Sequence, residues 1–294
     1  MNIDERVRPT PPPPPPRRGV GRLIVRGLGQ TFVTLGVVIL LFVVYEVWIT
    51  DLFGERKQAA ATTAIDQQWA QAQETVESTS TVVVTDPAQL VTDPRERTPQ
   101  YQTLTGQGFA KIYVPSFGAD YAFTIVEGTD PDDLYIGPGH YPDSQMPGQP
   151  GNFAVAGHRV SKGSPFNDLN LLNACDAMVV ETQDDWFVYR VLPMTDQQAG
   201  WNPAADSRCT GVEVPGGEYG GLSGRVITVP SDYAQVLPVP GVASATVPSD
   251  AMRLITLTTC HPQFSDAERM IIHGELVTSY AKSDGFVPPE MQER

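Results

Sequence analysis

Residues 256–276, TLTTCHPQFSDAERMIIHGEL, decide how this chain folds. Leu254, Thr256, Thr258 and Cys260 alternate with Ile255, Leu257, Thr259 and His261, the period-two pattern of a strand whose side chains face opposite sides. Pro262 has no N–H for a ladder and ends the run. RMIIHGEL (269–276) reads as the next strand, and the eight residues 261–268 suffice to return it antiparallel beside RLITLTTC. Such a hairpin brings Arg269 close to Cys260 at one rim of a sheet. His261 is adjacent in sequence, but neighbours on a strand diverge, so it is poorly placed to act on Cys260.

Outward from this hairpin the same texture recurs. FAKIYVP (109–115), YAFTIVEG (121–128), NFAVAG (152–157), AMVVET (177–182), WFVYRVL (186–192) and GRVITV (224–229) are short β-type runs separated by Gly- and Pro-rich turns. With the hairpin strands they make eight, which predicts an all-β barrel or sandwich with short helices over residues 106–280. That is enough chain for one good core. One helix is expected where Ser164 is a plausible N-cap, Pro165 suits the first position, and Phe166, Leu169 and Leu172 share a face.

The N-terminus has a different character. Residues 1–26 carry six Arg against two acids, whereas residues 27–294 sum to a net charge of −18. Between them, residues 27–50 hold a single charge, Glu46, and are long enough to cross a bilayer. Arg17, Arg18, Arg22 and Arg26 flank that run, which predicts a cytoplasmic Pro/Arg-rich tail (1–26), a transmembrane anchor (27–50) and an extracellular remainder. KQAAATTA, after Arg56, offers the small residues of a signal-peptide cleavage site, but it lies several charged residues beyond an apolar run longer than a usual signal core. Pro11 to Pro16 suit a stiff polyproline II stretch, though the tail reads better as a disordered cytoplasmic spacer. Residues 51–105 read as a stalk and linker, helical over 55–77 and then polar and Pro-broken; residues 281–294 are a C-terminal tail.

An extracellular setting pairs cysteines, and three of them imply one bridge and one free thiol. If Cys175 and Cys209 pair, Cys260 is the odd one. A thiol near a guanidinium and an imidazole is an acyl-transfer site in outline: the sulfur attacks a carbonyl, the cation steadies the oxyanion, and the imidazole moves protons. The imidazole best placed to supply this is His158, where NFAVAG runs into a loop.

These residues resemble the sortase family. TLTTC fits the Thr-Leu-x-Thr-Cys signature, AGHR the catalytic histidine segment about a hundred residues upstream, and Arg269 the arginine nine residues downstream. GPGHYP, PGQPGNFAVAGHR and CHPQFSDAERMIIHGEL are most similar to class E sortases of high-GC Gram-positive bacteria. The resemblance covers about residues 106–276 and implies an eight-stranded β-barrel cysteine transpeptidase. Such enzymes cut a C-terminal sorting signal of the LPXTG or LAXTG type between Thr and Gly and need no cofactor. It implies Cys260 as nucleophile, His158 as general acid and base, and Arg269 as stabiliser of substrate and oxyanion, helped by the backbone or hydroxyl of Thr259. Tyr141, in GPGHYP, is expected to read the second signal position. The implied partners are secreted proteins bearing a sorting signal, and a peptidoglycan-precursor amine or a pilin lysine. The family most often has Gly where Cys175 stands, and Cys209 has no counterpart in its signature, which supports a local Cys175–Cys209 disulfide.

Other readings are weaker. An L,D-transpeptidase places Ser-x-Gly-Cys at its nucleophile, which TLTTC lacks, and a non-catalytic scaffold would not need Cys260, His158 and Arg269 together. His140, His261 and His273 read as structural or exposed, and Asp168 and Asp176 as helix and turn acids. No EF-hand, zinc or phosphate-loop spacing occurs, and the acidic extracellular part disfavours nucleic acid.

Overall fold

The computed structural model describes residues 20–45, 49–78 and 106–293. The Pro-rich tail and most of the polar tether lie outside the described residues. The chain divides into two units, residues 1–45 and 46–294. The first holds helix α1 (Val20–Val44), in which the 22 residues of Leu23–Val44 have a mean hydropathy of 2.2. At 1.5 Å per residue such a stretch spans about 33 Å, the thickness of a hydrocarbon core.

The second unit opens with α2 (Thr50–Ser78) and continues into nine strands. These are β1 (Gly108–Tyr113), β2 (Ala122–Glu127), β3 (Gly139–His140), β4 (Gly151–Ala156), β5 (Ala177–Glu181), β6 (Asp185–Val191), β7 (Arg225–Thr228), β8 (Arg253–His261) and β9 (Glu268–Ala281). Their order is β6-β5-β1-β2-β3-β4-β8-β9-β7, and a further pairing of β6 with β9 closes the sheet. Eight strands therefore form the ring. β9, 14 residues long, pairs through its second half with β6 and through residues 269–272 with β7.

Alternation explains what lies inside. Ile112, Phe153, Val155, Ile255, Leu257 and Ile272 point into one buried core, the inward half of a period-two pattern. β4 is buried at every position, because the chain on either side of it covers its outer face. There Asn152 Nδ2 donates to the carbonyls of Gln235 (3.3 Å) and Leu237 (3.0 Å).

The helix expected over residues 55–77 is present within α2, and it lies against the barrel. Ile65 and Trp69 are buried. β3 covers β2 only at Val126 and Glu127, so the backbone of Thr124 needs another partner. The Gln58 amide supplies one, accepting from Thr124 N (2.5 Å) and donating to Thr124 O (3.2 Å) as a neighbouring strand would. Lys111 meets Asp66 at 2.5 Å, and Lys282 Nζ stands 4.1 Å over the Trp69 ring.

The helix expected to start at Ser164 is not formed. Ser161, Lys162 and Ser164 have φ of 58°, 54° and 41° and Gly163 of 81°, a left-handed run that no α-helix accommodates. Tight turns follow, with one 3-10 helix at Leu169–Leu171. Phe166, Leu169 and Leu172 are nevertheless fully buried, so the apolar spacing marked the core contact and not the backbone. Cys175 and Cys209 are bonded, with 4.9 Å between their Cα atoms. Closing a loop of separation 34 stabilises by about 4 kcal/mol in the chain-entropy account.

Candidate active site

The barrel ladder brings the three sequence-selected residues to one rim. β4 runs parallel to β8, with Ala156 opposite Thr258. His158 and Cys260 each lie two residues beyond that pair, at the same end of adjoining strands. β9 lies antiparallel on the other side of β8, with Arg269 opposite Cys260. The nucleophile candidate is thus flanked by the histidine turn and by the arginine strand, each about one strand spacing of 4.8 Å away.

Two hydrogen bonds stitch the histidine turn to the cysteine strand. Gly157 N donates to Thr258 O at 3.0 Å, and Thr259 Oγ1 donates to Gly157 O at 2.8 Å. A third, from Phe166 N to His158 O at 3.0 Å, folds the turn back on itself. Gly157 has to be glycine here, since a Cβ would sit 2.4 Å from the Phe166 ring. The Thr259 hydroxyl is therefore spent on the histidine turn. That contact joins the end of β8 to the residue just before His158.

Cys260 is the free cysteine among the three and is partly exposed. It opens into a cavity of about 760 Å³ lined also by Asp51, Val160, Ser164, Phe264 and Asp266. His158 and Arg269 do not line this cavity. Arg269 Nη1 donates to the carbonyls of Asp266 and Glu268, both at 3.0 Å, so its own turn fixes the guanidinium while Nε and Nη2 make no hydrogen bond among the described residues.

His158 is half-buried, and its Nε2 has no hydrogen-bond partner among the described residues. Burial, reinforced by the Lys162 charge, pushes its pKa down to about 4. The imidazole is neutral at pH 7, with a nitrogen lone pair unspent. Tyr141 donates to or accepts from Thr258 Oγ1 at 2.9 Å. Burial raises its pKa, and the Thr258 contact and the Arg269 charge draw it back down. It therefore stands within electrostatic reach of the site, on the outer face that Thr258 and Cys260 share.

The remaining histidines are held elsewhere. His140 is buried between Glu127 (2.7 Å), Ser144 Oγ (2.9 Å) and Gln145 O (3.0 Å). His273 is buried against Thr256 Oγ1 at 2.9 Å. Asp176 accepts from Asn173 N and pairs with Arg208 at 3.1 Å.

Asp51 and Phe264, at the Cys260 cavity, escaped the sequence reading. Asp51, at the start of α2, accepts from Gly163 N at 3.0 Å and reaches the Cys260 cavity; only tertiary packing reveals it. Phe264 is 78% exposed beside the nucleophile, with φ of 67°, and its place in a polar turn was the available signal.

A closed eight-stranded ring with Cys260 between a histidine turn and an arginine strand is the arrangement of a thiol acyl-transfer barrel. The Sortase domain family matches residues 112–277, and the chain belongs to the sortase family. It is 29% identical to Sortase SrtE1 of Streptomyces coelicolor over 88% of its own length, and spans 59% of that relative. It is 26% identical to Sortase SrtE2 of the same organism, over 93% of this chain and 91% of that one. The SrtF sortase from Corynebacterium diphtheriae is similar in structure, with a TM-score of 0.58 and 45% identity over 65% of this chain and 94% of that chain.

Proposed function

We propose that the chain is a membrane-anchored cysteine transpeptidase. In this reading it cleaves an LPXTG- or LAXTG-type sorting signal between Thr and Gly and passes the protein to a cell-wall amine. The observation that carries it is the placement of Cys260 between Arg269 on β9 and the His158 turn after β4, with the thiol open to a cavity.

The chemistry follows from the groups at hand. Cys260 sulfur attacks the threonine carbonyl as its proton passes to the neutral His158 imidazole. Arg269 steadies the oxyanion and the substrate backbone. His158, now an imidazolium, protonates the departing glycine nitrogen, leaving a thioester on Cys260. An incoming amine, from a peptidoglycan precursor or a pilin lysine, loses its proton to His158 as it attacks that thioester, and the thiol is regenerated. Tyr141 contacts the second signal residue. Helix α1 holds the enzyme in the membrane with its N-terminus in the cytoplasm and the barrel outside.

The test uses the full-length chain in detergent micelles with two peptides differing only in Pro or Ala at the second signal position. Transfer of the Thr-terminated fragment to an added amine, absent from Cys260→Ala, is the expected result. Failure to process either peptide removes the substrate assignment.

A further inference from the structure

Arg159 follows His158 in sequence and is only 7% exposed. Guanidinium groups are rarely buried without a carboxylate to pair with. Among the described residues none pairs with this one. Its fork instead spans three neutral acceptors: Cys260 O at 3.4 Å, His261 Nδ1 at 2.8 Å and Asn170 Oδ1 at 3.0 Å. Its buried Nε finds no partner among the described residues. A cation kept inside at that cost needs a reason beyond stability.

The three acceptors belong to the pieces that must be held still. Cys260 and His261 end β8, and Asn170 lies in the 3-10 turn that closes the histidine loop. Arg159 itself continues from His158. One side chain therefore ties the nucleophile's backbone, the His261 ring and the histidine loop together.

The contact with His261 carries a second consequence. A guanidinium only donates, so His261 Nδ1 must be the unprotonated nitrogen. The imidazole nearest Cys260 in sequence is turned onto Arg159 with its Nδ1 lone pair already used, and its Nε2 lies 3.9 Å from Glu268 Oε2. His158, whose Nε2 is unpartnered, is left as the imidazole able to exchange protons with Cys260.

We propose that Arg159 is a positioning residue of the site: it fixes Cys260 relative to His158 and holds His261 out of the proton transfer. This rests on the reading of Cys260 and His158 as the reacting pair. The test compares full-length wild type, Arg159→Ala and Arg159→Lys in detergent micelles, using the LPXTG and LAXTG peptides for kinetics and selective ¹⁵N-histidine labelling for the tautomers of the four imidazoles. In the wild type His261 is expected as the Nε2–H tautomer, and in Arg159→Ala as a mixture. Both variants are expected to lose tenfold or more in kcat, on the order of an outer-shell positioning contact, with KM within about twofold. Lysine does not rescue, because one ammonium cannot span three acceptors.

A wild-type His261 protonated on Nδ1 overturns the proposal. So does an Arg159→Ala enzyme, corrected for its folded fraction, that keeps kcat within twofold of wild type. Should Arg159→Ala not fold, Arg159→Lys decides by the same kcat criterion. The tautomer measurement needs no substrate. Absence of wild-type turnover would therefore remove the substrate assignment and leave the role of Arg159 to be decided by the imidazole spectra.

Discussion

Cys260 and Arg269 are direct partners across the β8–β9 ladder, so they share the outer face of the barrel with Cβ atoms about 5 Å apart. Arg269 is held by two carbonyls of its own turn, which presets the guanidinium before substrate arrives. Arg269→Lys keeps the charge and loses the planar fork. A drop of about 100-fold or more in kcat/KM is expected, in the range of losing one oxyanion donor. A lysine enzyme retaining a tenth or more of wild-type kcat/KM contradicts this role.

Thr259 ties β8 to the histidine turn through the Gly157 carbonyl. Thr259→Val preserves shape and strand preference but leaves that carbonyl without its donor, at a cost of about 1–3 kcal/mol. Urea unfolding should show the loss, and kcat should fall with it because His158 follows Gly157 directly. Stability within 0.5 kcal/mol of wild type, as an order-of-magnitude threshold, together with unchanged kcat, would show that the staple is idle.

Burial of His158 sets a pH dependence of stability. Its pKa falls from 6.5 in the unfolded chain to about 4 in the folded one. Above pH 6.5 neither state holds the proton. Between 6.5 and 4 the unfolded chain takes up a proton that the folded chain refuses, so stability declines as pH falls. His273, pushed down to about 3 by burial, acts in the same direction. Urea midpoints at pH 7, 5.5 and 4.5 should decline in the wild type and decline less in His158→Gln. Parallel declines in the two proteins would exclude His158 as a source.

The parts of this architecture that were legible in the sequence are those written in period two. All eight expected strands occur, with ends shifted by two residues or fewer except at the far end of β9, because alternation with Gly and Pro punctuation is a local signal. β3 was not, since two residues in GPGHYP show no alternation and exist only as a bridge between β2 and β4. The Ser164 helix failed because local capping logic could not see the left-handed run at Ser161–Ser164. Cys260 and Arg269 were legible as neighbours because the sequence itself suggests the register of their hairpin, whereas His158 was legible from its place at the end of NFAVAG and from the AGHR resemblance. Arg159 stood in plain view within AGHR, but nothing local says that a guanidinium will be buried against Cys260 O. The α2 seat depends on a gap in β2 pairing that only the closed barrel creates.

The measurement nearest the central claim is the mass of the enzyme after brief incubation with a sorting-signal peptide and no amine acceptor. An adduct on Cys260 equal to the peptide truncated after threonine is expected, absent from Cys260→Ala and strongly reduced in His158→Ala and Arg269→Lys. Under the same conditions, an adduct on another residue, or peptide cleavage by Cys260→Ala at the wild-type rate, would contradict it.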